Sequence, residues 1–232
     1  EEKSRTRLEH EISCLSVHPL QQQPQQQQSE QSELREAGGE DGMKVEGNAE
    51  TAAAPSSASL VAVGMWTDMS VRLLSLPTLE GRHRCELGGD TQARSVLLTT
   101  FQDDHHYLLV GLGDGQLASY PLAFTGDQLS LGPRKKVSLG TQPLSLTPFS
   151  SHSSSSPSLC VFASSDRPTV IYSSNGEKLL FSNVNTPEVT LMAPFHSPLF
   201  PDCLALASEG GLRIGTVDDI QKLQVQTVPL GT

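Results

Sequence analysis

Positive charge is what this chain has least of. Its 16 Lys and Arg are outnumbered by 26 Asp and Glu, which leaves a net charge of −10 over 232 residues. A protein that grips a phosphate backbone needs clustered cations to displace counterions, so direct nucleic-acid binding by this chain is disfavoured. Cysteine is scarce too. Cys14, Cys85, Cys160 and Cys203 stand far apart, with no CxxC pair and no His at zinc-ligand spacing. They read as reduced, half-buried thiols rather than a disulfide framework or a metal site. No apolar run nears the roughly 20 residues of a membrane-crossing helix. No basic start followed by an apolar core marks a signal peptide. These absences lead us to expect a soluble intracellular protein, and the first residue, Glu1 rather than Met, suggests a segment of a longer chain.

Catalytic patterns are missing as well. No Ser sits in a nucleophile-elbow context, and no paired carboxylates suggest acid–base work. "GLGDGQ" (Gly111–Gln116) resembles a phosphate loop at a glance, but its spacing fails the dinucleotide fingerprint and a strand follows it, so no helix N-terminus awaits a phosphate. It reads as a hairpin turn. His105-His106 after Asp103-Asp104 invites a metal reading, yet adjacent residues on an extended chain point to opposite faces, so a solvated loop is expected. Arg134-Lys135-Lys136, the only basic run, reads as a solvated strand start. No cofactor is implied.

What is present is a repeat. "LSVHPL" (Leu15–Leu20), "VLLTTF" (Val96–Phe101) and "LSLTPF" (Leu144–Phe149) share the pattern apolar-x-apolar-x-x-apolar, and "VTLMAPF" (Val189–Phe195) matches with one extra residue. Each is followed by a polar loop and then by a run of small apolar residues ending in a Gly/Asp/Ser turn: "LVAVGMWTD", "YLLVGLGDG", "LCVFASSDR", "LALASEGG". A third strand follows each turn, and a fourth completes most units, as in "GRHRCEL", "RKKVSLG" and "KLLFSNV". The period, about 45 residues, is that of a four-stranded propeller blade. The expected fold is therefore all-β, a β-propeller fragment of about four blades of four-stranded antiparallel sheets, with the first strand of each innermost.

One segment breaks the repeat. Residues 21–59, "QQQPQQQQSEQSELREAGGEDGMKVEGNAETAAAPSSAS", have no aromatic and almost no β-branched residues, so they cannot bury enough surface to offset ordering entropy. We expect a disordered low-complexity insertion in the loop after the first strand of its unit, which residues 1–20 supply; "SSHSSSSPS" takes the same place two units later. Residues 60–232 then form consecutive blades up to a propeller boundary.

Within the third unit, "SSDRPTVIYSSNGEKLLFSNVN" places Asp166-Arg167-Pro168 between two strands and Asn175-Gly176 between the next two. Pro168 has no N–H for a ladder, so the chain turns there. Asp166 and Arg167 are expected to bond neighbouring backbone and hold the hairpin, with a partner contact as the rival role. Trp66, the only tryptophan, falls in a strand candidate and is expected to pack, although surface aromatics can anchor partners.

Nine stretches, from "EHEISCL" (Glu9–Leu15) and "VGMWTDMSVRLLSLPTLE" (Val63–Glu80) through "RSVLLTTF", "LGDGQL", "RKKVSLGTQP", "SDRPTVIYSSN" and "LLFSNVN" to "IGTVDDIQKL" and "TVPL", together carry a resemblance. They resemble the damage-specific DNA-binding protein 1 family, the three-propeller adaptors of cullin-4 ubiquitin ligases, over nearly everything except the insertion. The resemblance is to part of the second propeller, which in that family docks the cullin scaffold, while the first and third clamp substrate receptors. It implies a non-catalytic scaffold-binding module in a nuclear ubiquitin ligase linked to DNA repair, with DNA reached only through partners and no membrane contact. Two RNA-processing scaffolds share the architecture, splicing factor 3b subunit 3 and the large subunit of cleavage and polyadenylation specificity factor. The different-class alternative, a propeller hydrolase, would need polar catalytic groups around a central channel, and none is visible.

Overall fold

The computed structural model describes residues 2–19, 59–101, 105–125, 128–151, 158–174, 178–218 and 222–227. All regular structure among them is β. Four antiparallel sheets follow one another along the chain, each built on a meander whose first four strands pair in sequence order. The first contains β1 (Ile12–Pro19), β2 (Ser59–Met65), β3 (Ser70–Ser75) and β4 (Gly81–Glu86). The second contains β5 (Ala93–Thr100), β6 (His106–Leu112), β7 (Gln116–Thr125), β8 (Gln128–Leu131) and β9 (Lys135–Ser138). The third is β10 (Ser145–Ser151), β11 (Ser158–Ser164), β12 (Thr169–Ser174) and β13 (Lys178–Asn183), and the fourth β14 (Leu191–Phe195), β15 (Cys203–Ser208), β16 (Gly211–Asp218) and β17 (Lys222–Thr227).

The cores lie between the sheets. Along β6, Leu108 and Val110 pack towards the first sheet beside Leu73 and Leu98. The alternate residues, Tyr107 and Leu109, pack towards the third beside Val161 and Ile171. In β11 the same division sends Val161 and Ala163 to one seam and Cys160 and Phe162 to the next. A strand covered on both faces needs apolar residues at every position, which is why these strands read as continuous runs rather than alternations. Leu108 and Leu109 have no exposed surface, and burying each contributes about 1.5–3 kcal/mol.

Neighbouring sheets meet through their first strands: β1 packs on β5, β5 on β10 and β10 on β14. Two serines bridge these contacts. Ser16 Oγ accepts from the Leu98 N–H at 3.1 Å, and Ser95 Oγ accepts from the Leu146 N–H at 3.1 Å. This is propeller geometry, in which blades converge on their innermost strands.

The second sheet departs from the four-strand expectation. Its outer edge is split, with β8 pairing the far end of β7 (Leu122–Thr125) and β9 the near end (Gln116–Ser119). The reason is length: β7 has 10 residues, more than one short edge strand can cover. The expected strand "RKKVSLG" corresponds to β9 alone. Its Arg134 is not simply solvated, because its guanidinium donates to the Leu87 carbonyl and ties the second sheet to the end of the first.

The low-complexity stretch lies outside the described residues, apart from Ser59, which opens β2. Asp103, Asp104 and the Asn175-Gly176 turn also lie outside them. Pairing on either side is clear: Pro19 faces Ser59, and Ser174 faces Lys178.

Candidate docking surface

In a meander of four strands, the turn between the second and third strands lies at the same end of the sheet as the segment entering the first. All four such turns therefore gather at one end of the described structure. Each of the first three is tied to the segment entering its own sheet. In the first sheet, the Trp66 N–H donates to the Glu11 carbonyl at 2.8 Å, and Thr67 Oγ1 meets His10 Nδ1 at 2.9 Å. In the second, the Gly113 N–H donates to the Gln92 carbonyl at 3.1 Å, and the Thr91 hydroxyl donates to Asp114 at 3.4 Å. In the third, Asp166 accepts from the Thr141 N–H at 2.8 Å, the Thr141 hydroxyl at 3.0 Å and the Gln142 N–H at 3.1 Å.

These ties also link one sheet to the next. The Gly115 carbonyl accepts from the N–H groups of Leu139 and Gly140, at the start of the segment leading to the third sheet. Gly115 has φ +79°, and a Cβ there would lie 2.3 Å from the Gly140 oxygen. A Cβ on Gly140 would in turn lie 2.3 Å from Asp166 Oδ1. Two glycines thus let the second-sheet turn, the connecting segment and the third-sheet turn stack without side chains between them.

Two of the turn carboxylates, Asp166 and Asp68, are held charged. Burial pushes Asp166 upward, but the Thr141 and Gln142 N–H groups and the Thr141 hydroxyl outweigh it and bring its pKa below the ordinary value. Asp68 behaves alike: burial is outweighed by the Ser70 hydroxyl and by Arg72. Asp68 also bridges Arg72 at 3.1 Å and Arg84 at 3.5 Å.

The structure separates the residues singled out in the sequence. Asp166 clasps the entering segment rather than its own hairpin, because the turn projects over Thr141. Pro168 is buried. Arg167 is exposed, and only its backbone is engaged: its N–H donates to Ser165 Oγ at 3.0 Å and its carbonyl accepts from Thr169 Oγ1 at 2.9 Å. Among the described residues no hydrogen bond of its guanidinium occurs. Trp66 lies just beyond β2, not inside a strand, and is 38% exposed. It sits on the first sheet and Arg167 on the third, with the Asp114 turn between. The guanidinium of Arg94, at the start of β5, lies over the Trp66 ring.

Elsewhere the surface offers little chemistry. His106 is engaged by Thr100 at 2.8 Å and by the edge of Phe124. Among the described residues no three His, Cys, Asp or Glu side chains gather as a metal site. Among the described residues no helix is long and apolar enough to cross a membrane. The opposite end of the sheets carries an open groove of about 520 Å³ between the third and fourth, lined by Pro148, Phe149, Leu159, Pro194 and Phe195.

Comparison with known proteins gives a consistent answer. Residues 1–217 match the family described as the RSE1/DDB1/CPSF1 second beta-propeller. The chain is 50% identical to DNA damage-binding protein 1 of Oryza sativa subsp. japonica over 224 residues, 96% of this chain and 17% of that protein. It is 48% identical to DNA damage-binding protein 1a of Arabidopsis thaliana over 224 residues, 97% of this chain and again 17% of the relative. For DNA damage-binding protein 1 of Solanum lycopersicum the identity is 45% over 225 residues, with coverage of 97% and 17%. The chain thus spans about a sixth of the length of the relatives it matches.

Proposed function

The chain belongs to the family of the RSE1/DDB1/CPSF1 second beta-propeller, and on that premise we propose that it is a non-catalytic docking module through which a cullin-4-type scaffold joins an adaptor for ubiquitin transfer. The observation that carries the reading is Trp66. A large aromatic, 38% exposed, stands on a face made rigid by backbone ties and Asp clasps. Exposed aromatics on preorganised surfaces are the usual anchors of protein interfaces. Identity of 45–50% with proteins named for DNA damage binding favours the ligase adaptor over the RNA-processing scaffolds that share the family description.

On this reading the adaptor works in the nucleus in the response to DNA damage. Substrate receptors are held by parts of the full-length protein outside this chain, and DNA is reached through those partners, in keeping with the net charge of −10. The test is titration of a cullin-4 scaffold into the wild-type chain and into Trp66→Ala. Loss of an interface anchor of this kind costs 2 kcal/mol or more, roughly a 30-fold weaker Kd, with little change in the unfolding midpoint. Equal binding by both proteins would remove Trp66 as the anchor. Capture of splicing or cleavage–polyadenylation subunits in place of a cullin would defeat the ligase reading.

A further inference from the structure

Arg94 reaches Trp66 because of an irregularity in the ladder. In the pairing of β5 with β6, Ala93 faces Leu112 and Ser95 faces Gly111, so Arg94 is left without a partner as the extra residue of a bulge. A bulge breaks the alternation of side chains and re-aims the one at its centre. Here it turns Arg94 out of the second sheet and across the seam to the first. The guanidinium carbon comes to 5.8 Å from the centroid of the Trp66 ring, within cation–π range. The stem passes over Gly113, where a first side-chain carbon would sit 3.6 Å from Arg94 Cγ, so the neighbouring turn supports it. Among the described residues no carboxylate forms an ion pair with Arg94, and the contact recorded for its guanidinium is the Trp66 ring.

We propose that Arg94 is a positioning residue for docking: it fixes the Trp66 ring across the seam between the first two sheets, so that the indole meets the partner already oriented. The Trp66 backbone is held separately, through Glu11. Without Arg94 the ring keeps its attachment and gains rotamers, and freezing these on binding weakens affinity. This rests on the docking reading above for its functional consequence, but not for the contact itself.

Because Trp66 is the only tryptophan in the chain, its fluorescence reports the contact directly. In the free chain, Arg94→Ala is expected to raise acrylamide quenching and lower the anisotropy of Trp66, with Arg94→Lys between it and wild type and the unfolding midpoint unchanged. Unaltered quenching and anisotropy in Arg94→Ala would overturn the proposal. Towards a cullin-4 scaffold, Arg94→Ala is expected to weaken binding about 2- to 5-fold, the effect of one exposed cation–π contact. The same substitution in a Trp66→Ala background should add nothing, since Arg94 acts through the ring. A further loss there would mean that Arg94 touches the partner itself, and would also overturn the proposal. If the wild-type chain bound no cullin while the fluorescence changed as described, the docking reading would fail and the hold of Arg94 on Trp66 would stand.

Discussion

Replacing Asp166 by Ala removes three hydrogen bonds at once: two from backbone N–H groups, at 2.8 and 3.1 Å, and one from the Thr141 hydroxyl, at 3.0 Å. Hydrogen bonds to a charged acceptor are worth about 1.5–3 kcal/mol each when buried. This carboxylate is only partly buried, and water replaces it at the freed donors, so the whole set comes to about 1–2 kcal/mol. For a chain of this size that lowers the unfolding midpoint by roughly 2–8 °C. Arg167→Ala, one residue on, removes an exposed side chain and should change stability by less than about 0.5 kcal/mol. The pair is read by urea titration at pH 7. Equal losses for the two variants, or a loss below about 0.5 kcal/mol for Asp166→Ala, would refute the clasp. Acid supplies a second arm. The folded pKa of Asp166 lies below its unfolded value, so its contribution is complete above the ordinary carboxylate pKa and is lost as pH falls through the folded value. The gap between wild type and Asp166→Ala should therefore narrow below about pH 4. A gap that stays constant down to pH 2 would show that charge is not what the clasp uses.

Three further outcomes are expected. Gly115→Ala combines a positive φ with a Cβ 2.3 Å from a backbone oxygen, and should cost more than about 2 kcal/mol by chemical denaturation; near-neutral behaviour would deny the stacked turns. Burial raises the thiol pKa values of Cys85 and Cys160, so an alkylating reagent at pH 8 should label them only after unfolding, and rapid native labelling of Cys160 would contradict the seam packing. Because Pro19 faces Ser59 across the β1–β2 ladder, a short turn replacing residues 21–58 should close the hairpin with the midpoint kept within a few degrees, whereas a large drop would mean that the removed stretch contributes to the fold.

The sequence by itself determined the architecture. Strands covered on both faces must be apolar throughout, and turns between them must be Gly-, Asp- or Pro-rich, so "YLLVGLGDG" and "LCVFASSDR" are readable without coordinates. The same local logic placed Asp166-Arg167-Pro168 at a turn. It could not tell what Asp166 holds, because Thr141 is 25 residues away and is brought near only by the closing of the third sheet. Nor could it separate Arg167 from Asp166, since both are polar turn residues and only the direction of the turn leaves one clasped and the other exposed. The split edge of the second sheet escaped notice because "DQLSLG" carries the weak, half-exposed pattern of an outer strand. Trp66 looked like packing because an indole within an apolar run has that signature, and the end of β2 falls one residue earlier. Its pairing with Arg94 had no sequence signal at all. That contact spans two sheets and depends on a bulge, and a bulge is a property of register between strands, which only the tertiary structure decides.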